Sequence, residues 1–263
     1  MGGIVKHAKN WTVSVVRRLP VGLRRSLFHF AFACAPAEFE KYAFLYANAP
    51  SQENILRRMA ADGFSPRKIV DVGAYRGDWS RMVSSIWPNA SIIMIEPNRE
   101  QNSQLHAVAS DLRATLHCEL LGAIDGQEVQ FHVMATGSSV LSERSDVPRK
   151  TEIRRLATLN SLLADGPPVD FLKLDAQGYE LSILDGADRV LENVQAVLLE
   201  VALIDVNEGS PILHDVLAYM HDRGFVAFDI LEMHRRPLDR VLCQIDVLFC
   251  REDAKIRSDK RFC

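Results

Sequence analysis

Short β-branched and apolar runs alternate with helix-patterned stretches along most of this chain, and that alternation restricts its fold more than any other feature. Residues 68–72 (KIVDV), 91–95 (SIIMI), 114–120 (ATLHCEL), 169–174 (VDFLKL), 195–201 (QAVLLEV), 225–231 (FVAFDIL) and 241–250 (VLCQIDVLFC) read as strands. Helical spacing of apolar residues predicts helices over 78–87, 98–109, 179–191 and 211–223, and across most of 36–66. Repeated strand–helix units build a parallel sheet with helical crossovers on both faces.

Two places depart from the alternation. In GAIDGQEVQFHV, residues 122–133, Asp125-Gly126 reads as a hairpin turn leading straight into another strand, and the polar stretch 135–150 then reads as a surface loop. Only about ten residues separate the last two strands, too few for a helical crossover, so antiparallel neighbours are expected.

The stretch IVDVGAYRGDWS, residues 69–80, is the most informative turn. A buried strand ends at Val72, Gly73 and Gly77 shape a short bend, and a helix begins with Asp78 as its expected N-cap. A pyrophosphate needs G-x-G-x-x-G, and a P-loop needs G-x-x-x-x-G-K-[ST]; this bend matches neither. A carboxylate at Asp71 suits a ligand with a cationic centre, and S-adenosylmethionine carries both an ammonium and a sulfonium. Glu96, ending the second strand ahead of Pro97, is placed to accept from a ribose diol.

Together these motifs resemble the FkbM-type S-adenosylmethionine-dependent methyltransferases, within the Rossmann-like class I methyltransferases. The resemblance spans about residues 68–250 and rests on IVDVGAYRGDWS, MIEPNRE (94–100), GAIDGQEVQFHV (122–133), SSVL (138–141) and FLKLDAQGYELSILDGA (171–187). It implies an α/β fold with a seven-stranded, mostly parallel sheet, an antiparallel last strand and helices on both faces. On the cofactor side it implies Asp71, Gly73, Ala74, Tyr75 and Gly77 of the bend, Glu96 and Pro97, and Leu121, Gly122 and Ala123 near the adenine. Asp125 reads as part of a turn.

Methyl transfer to a hydroxyl needs in-line positioning and a base beside the attacking oxygen. Lys173 and Asp175 alternate with leucines at the carboxyl end of a buried strand, a placement that charge disfavours unless the groups pair or serve a site. Asp175 is the leading catalytic candidate and Lys173 the second, with a structural ion pair as the alternative for the lysine. Gln177, Glu180 and Glu200 are the acceptor-side candidates. A divalent metal on Asp175, Glu180 and Glu200 is conceivable, but no ligand spacing marks one, and none is assigned. The expected activity is O-methylation of a small molecule, sugar or glycan; the alternative is an inactive nucleotide-pocket module docking through a basic arm.

That arm is the first thirty residues, which carry Lys6, Lys9, Arg17, Arg18, Arg24 and Arg25 and no acid. They suggest a basic, mostly helical extension over residues 1–60 ahead of a cofactor-binding domain at 61–263, with peripheral membrane contact as a minor option. Overall the chain is 48% hydrophobic and 25% charged with a net charge of −3, which gives no sign of a nucleic-acid binder. Five cysteines without C-x-x-C spacing indicate neither a disulfide framework nor a zinc site, consistent with a reducing cytoplasm.

Overall fold

Strand β1, Lys68–Val72, is buried along its whole length and lies inside a seven-stranded sheet. The computed structural model that shows this describes residues 49–134 and 137–261, with Leu23, Ser26, Leu27, Phe30 and 33–35. Helix α1 is Gln52–Ala61, capped by the Ser51 side chain. After β1 come α2 (Asp78–Ile86), β2 (Ser91–Ile95), α3 (Asn102–Leu112), β3 (Thr115–His117), β4 (Leu120–Leu121), β5 (Glu128–Val133) and β6 (Lys150–Ala157). The chain continues through α4 (Leu159–Leu162), β7 (Phe171–Leu174), α5 (Glu180–Asp185), α6 (Asp188–Leu191), β8 (Ala196–Ala202), α7 (Leu213–Asp222), β9 (Phe225–Arg235) and β10 (Leu242–Arg251).

The large sheet has the order β3-β2-β1-β7-β8-β10-β9. Neighbours from β3 to β8 run parallel, while β10 is antiparallel to both β8 and β9, as the short final connection requires. Because side chains alternate across a strand, the sheet carries two cores. Val70, Val72, Leu172, Leu174, Leu199 and Val247 face one side, with Ile183, Leu184, Val216 and Met220 from the helices packed against them. Ile69, Phe171, Leu198 and Leu248 face the other, under Leu56 and Met59 of α1 and Val83 of α2.

Four local expectations change. Gly77, at φ 79°, occupies the cap position of α2, and Asp78 lies in the first turn instead. Asp125-Gly126 does turn the chain, but β4 and β5 are not hairpin partners: β6 lies between them in a separate three-stranded sheet. β6 itself follows the loop read over 135–150 and is absent from the expected strands; its exposed charged residues hide the alternation. The helix expected over 179–191 breaks at Gly186, where an added Cβ would overlap the Gly122 carbonyl.

The chain divides into two compact units, Met1–Ala49 and Pro50–Cys263. Helix α1 thus belongs to the second unit, because Ile55, Leu56 and Met59 are buried in its core. In the first unit Leu23, Ser26, Leu27, Phe30, Ala33 and Cys34 are helical. Residues 36–48 of the helical stretch expected over 36–66, and most of the basic arm, lie outside the described residues. Among the described residues no helix is long and apolar enough to cross a membrane.

Candidate active site

Polar residues that a sheet interior would exclude cross its α1 side in one row. Asp71 aligns with Lys173 across β1 and β7, and Lys173 with Leu198 across β7 and β8. Glu200, two residues beyond Leu198, aligns with Asp246, which aligns in turn with Glu232 on β9. Aligned residues point to the same face, so the register alone gathers these charges near the carboxyl ends of the parallel strands, where open α/β sheets bind ligands.

Asp71 is fully buried beneath the glycine bend and does not line the adjoining cleft. Its Oδ2 accepts from the Ser80 hydroxyl at 2.7 Å, and its Oδ1 lies 3.1 Å from Lys173 Nζ in an ion pair. Lys173 also donates to the Gly73 carbonyl at 3.0 Å and lies 3.6 Å from Asp175 Oδ2. Burial opposes its charge, but Asp71 and Asp175 outweigh that opposition and hold its pKa above the ordinary lysine value. The pair therefore props the bend from below.

The bend above it leaves no room for larger residues. Gly73 has φ 74°, and a Cβ there would overlap the Asp175 carbonyl oxygen; at Gly77 a Cβ would meet Val108. Tyr75, at φ 47°, donates its N–H to Glu96 Oε2 at 2.8 Å, and the Asn98 N–H donates to Oε1 at 2.7 Å. Glu96 is thus 5% exposed yet fixed at both oxygens, with further lone pairs toward the cleft it lines. Desolvation raises its pKa, opposed by these two backbone donors.

The cleft, about 210 Å³, is lined by Glu96 and Pro97 and by Asp175 and Gln177, while Glu200 does not line it. Leu120, Leu121, Phe131, Tyr179 and Ile183 form apolar wall, suited to a flat heteroaromatic ring. Of the cofactor-side candidates Gly73, Tyr75 and Leu121 line it too, whereas Ala74, Gly77, Gly122 and Ala123 do not. Sequence reasoning missed Phe131 and Leu120, which reach the cleft through the small sheet.

Gln177, in a left-handed conformation with φ 55°, ties two carboxylates together. Its Nε2 donates to Asp175 Oδ1 at 2.9 Å and to Glu200 Oε2 at 2.7 Å. The SSVL segment clasps the same loop: Ser139 Oγ lies 3.0 Å from the Gln177 carbonyl oxygen, to which it donates. Asp175 has 40% of its side chain exposed, the most open of these acids. Burial raises the Glu200 carboxyl well above its ordinary range, with Asp175 adding to the effect. Glu180 faces inward, its Oε1 accepting the Ala176 and Gly178 N–H groups at 2.7 and 3.1 Å, and it does not line the cleft. Asp125 is held in its turn by Thr158 and Ser161.

The cleft fits S-adenosylmethionine in its donor set: a fixed carboxylate for a diol, an apolar wall for an adenine, and a glycine bend that brings backbone to the ligand.

The Methyltransferase FkbM domain model matches residues 71–227. No curated protein matches the sequence. Among solved structures, a Methyltransferase FkbM from Methylobacillus flagellatus KT is 18% identical with a TM-score of 0.46, the match covering 70% of this chain and 44% of that one. Magnesium protoporphyrin IX methyltransferase from Synechocystis PCC 6803, solved with bound S-adenosylmethionine, is 11% identical with a TM-score of 0.46 over 76% of this chain and 77% of that one. Aeropyrum pernix fibrillarin, in complex with S-adenosylmethionine, is 17% identical with a TM-score of 0.42 over 70% and 66%.

Proposed function

The chain belongs to the FkbM methyltransferase domain family, and from that premise we propose that it transfers the methyl group of S-adenosylmethionine to a hydroxyl on a small molecule, sugar or glycan. The observation that carries the hydroxyl assignment is the Asp175–Gln177–Glu200 arrangement, of which Asp175 and Gln177 line the same cleft as Glu96. Bound S-adenosylmethionine supplies a methyl group on a cationic sulfur. Glu96 would accept from its diol, the Gly73–Tyr75 backbone would lie beside it, and Leu120, Leu121 and Phe131 would form apolar wall around its ring.

Asp175 is the base. Its carboxylate is exposed to the cleft while Lys173 and Gln177 fix its two oxygens, so its position is set before the acceptor arrives. Asp175 would take the proton of the acceptor hydroxyl as its oxygen displaces the methyl group, the S–CH3 bond breaking and the neutral thioether S-adenosylhomocysteine leaving. Glu200, half-buried and outside the cleft lining, accepts from Gln177 and so holds the amide that fixes that base.

Calorimetric titration with S-adenosylhomocysteine, followed by labelled-donor transfer to a panel of sugars and glycans, tests this. The protein is expected to bind S-adenosylhomocysteine, and Asp175→Asn is expected to keep that binding while losing about 10²–10⁴-fold in transfer rate. No heat with either adenosyl ligand, alongside binding of NAD, removes the cofactor assignment. Transfer undiminished in the Asp175→Asn protein removes the base.

A further inference from the structure

Glu200, His234 and Asp246 stand on three adjacent strands, β8, β9 and β10, and one ligand atom from each lies within 4.8 Å of the others. Only Glu200 takes part in the arrangement above. The surroundings leave negative charge uncompensated. Asp246 aligns directly with Glu200 on one side and Glu232 on the other, and like charges so placed repel. Lys173 is committed to Asp71, Asp175 and the Gly73 carbonyl, and Arg58 to Asp229. His234 Nε2, 3.6 Å from Asp246 Oδ1, is an imidazole nitrogen beside these carboxylates, a metal ligand when neutral.

An independent observation lies in α1. The Gln52 amide nitrogen donates to Glu232 at 2.9 Å and to Asp246 at 2.5 Å, while the carbonyl oxygen of the same amide is buried with no hydrogen-bond partner. An oxygen so placed lacks either a donor or a cation.

We propose that Glu200, His234 and Asp246 form a divalent-cation site, with the Gln52 carbonyl beside it as a further oxygen donor. One imidazole and two carboxylates suit Mn²⁺ or Zn²⁺ better than Mg²⁺, which favours all-oxygen octahedral surroundings. The cation neutralises the aligned carboxylates and fixes Glu200, and through Gln177 it steadies Asp175. A direct effect on the acceptor, lowering the pKa of its hydroxyl, rests on the O-methylation reading; the binding of the cation does not.

The test uses the full chain, stripped with chelator and free of adenosyl ligand, titrated with Mn²⁺ by electron paramagnetic resonance and with Zn²⁺ by calorimetry. One ion per chain is expected, with affinity reduced about tenfold or more in His234→Gln or Asp246→Asn. His234 has 39% of its side chain exposed on an edge strand, so its replacement is tolerated by the fold, which circular dichroism verifies. Saturable binding of either ion that at least one substitution weakens to that extent supports the site. Absence of saturable binding, or binding that neither substitution weakens, overturns it. S-adenosylhomocysteine titrated into the same metal-free protein tests the methyltransferase reading separately, so that failure of one is distinguishable from failure of the other.

Discussion

A lysine with 9% of its side chain exposed keeps its charge only if its surroundings return more than burial removes. For Lys173 the return comes from Asp71, and the dependence is mutual, because Asp71 is fully buried with the Ser80 hydroxyl as its other partner. Lys173→Met leaves that carboxylate uncompensated, and urea denaturation is expected to show a loss of about 3–5 kcal/mol. Adding Asp71→Asn to that variant is expected to recover most of the loss, since the stranded charge goes with it. A single variant as stable as the wild type contradicts the prop, and a double variant no better than the single contradicts the pairing. The same argument explains why neither residue reaches the cleft: each already has its charge committed to the other.

Between β7 and α5 the loop 175–179 is built around Glu180, whose Oε1 gathers two backbone N–H groups. Desolvation pushes its pKa up from 4.5 to about 7, with Asp175 nearby adding to the rise and the backbone donors opposing it. A carboxyl raised in the folded state favours the protonated protein. Its contribution is therefore complete below the unfolded value and disappears as pH climbs through about 7, roughly 3 kcal/mol in total. Glu180→Gln keeps an acceptor oxygen and cannot ionise. Urea midpoints measured from pH 4.5 to 8 are expected to fall more steeply for the wild type than for this variant; parallel profiles contradict the assignment. This loop also marks how far the sequence could be read. The strand, the acids after it and the glycine were legible because FLKLDAQGYE places charges where burial resists them. Which acids face the cleft was not, because Glu180 turns inward to serve backbone groups and only the folded loop shows that. Likewise Asp246 lies in the strand read over 241–250, whereas His234 lies beyond the strand read over 225–231, in the extension of β9 to Arg235, and the two meet through the β9–β10 register and its bulges, which no local pattern encodes.

For the molecule as a whole, the division at Ala49 separates a unit carrying both sheet cores from one that begins with a run of basic residues. Among the described residues every buried side chain of the two large cores lies at or beyond Ile55, and every cleft residue at or beyond Val72. A chain starting at Pro50 is therefore expected to unfold cooperatively at the urea midpoint of the full chain and to bind S-adenosylhomocysteine equally well, by calorimetry. Loss of the cooperative transition, or a clear weakening of binding, means instead that the first unit completes the fold or the cleft. Charge needs separate treatment, because the full chain is already at −3 and removing a basic arm makes the remainder more acidic. Self-repulsion among exposed charges is screened beyond about 8 Å at 0.15 M salt and beyond about 3 Å at 1 M. A midpoint deficit that vanishes on raising the salt from one to the other thus reports lost counter-charge, whereas one that persists reports lost packing and counts against an independently folded second unit.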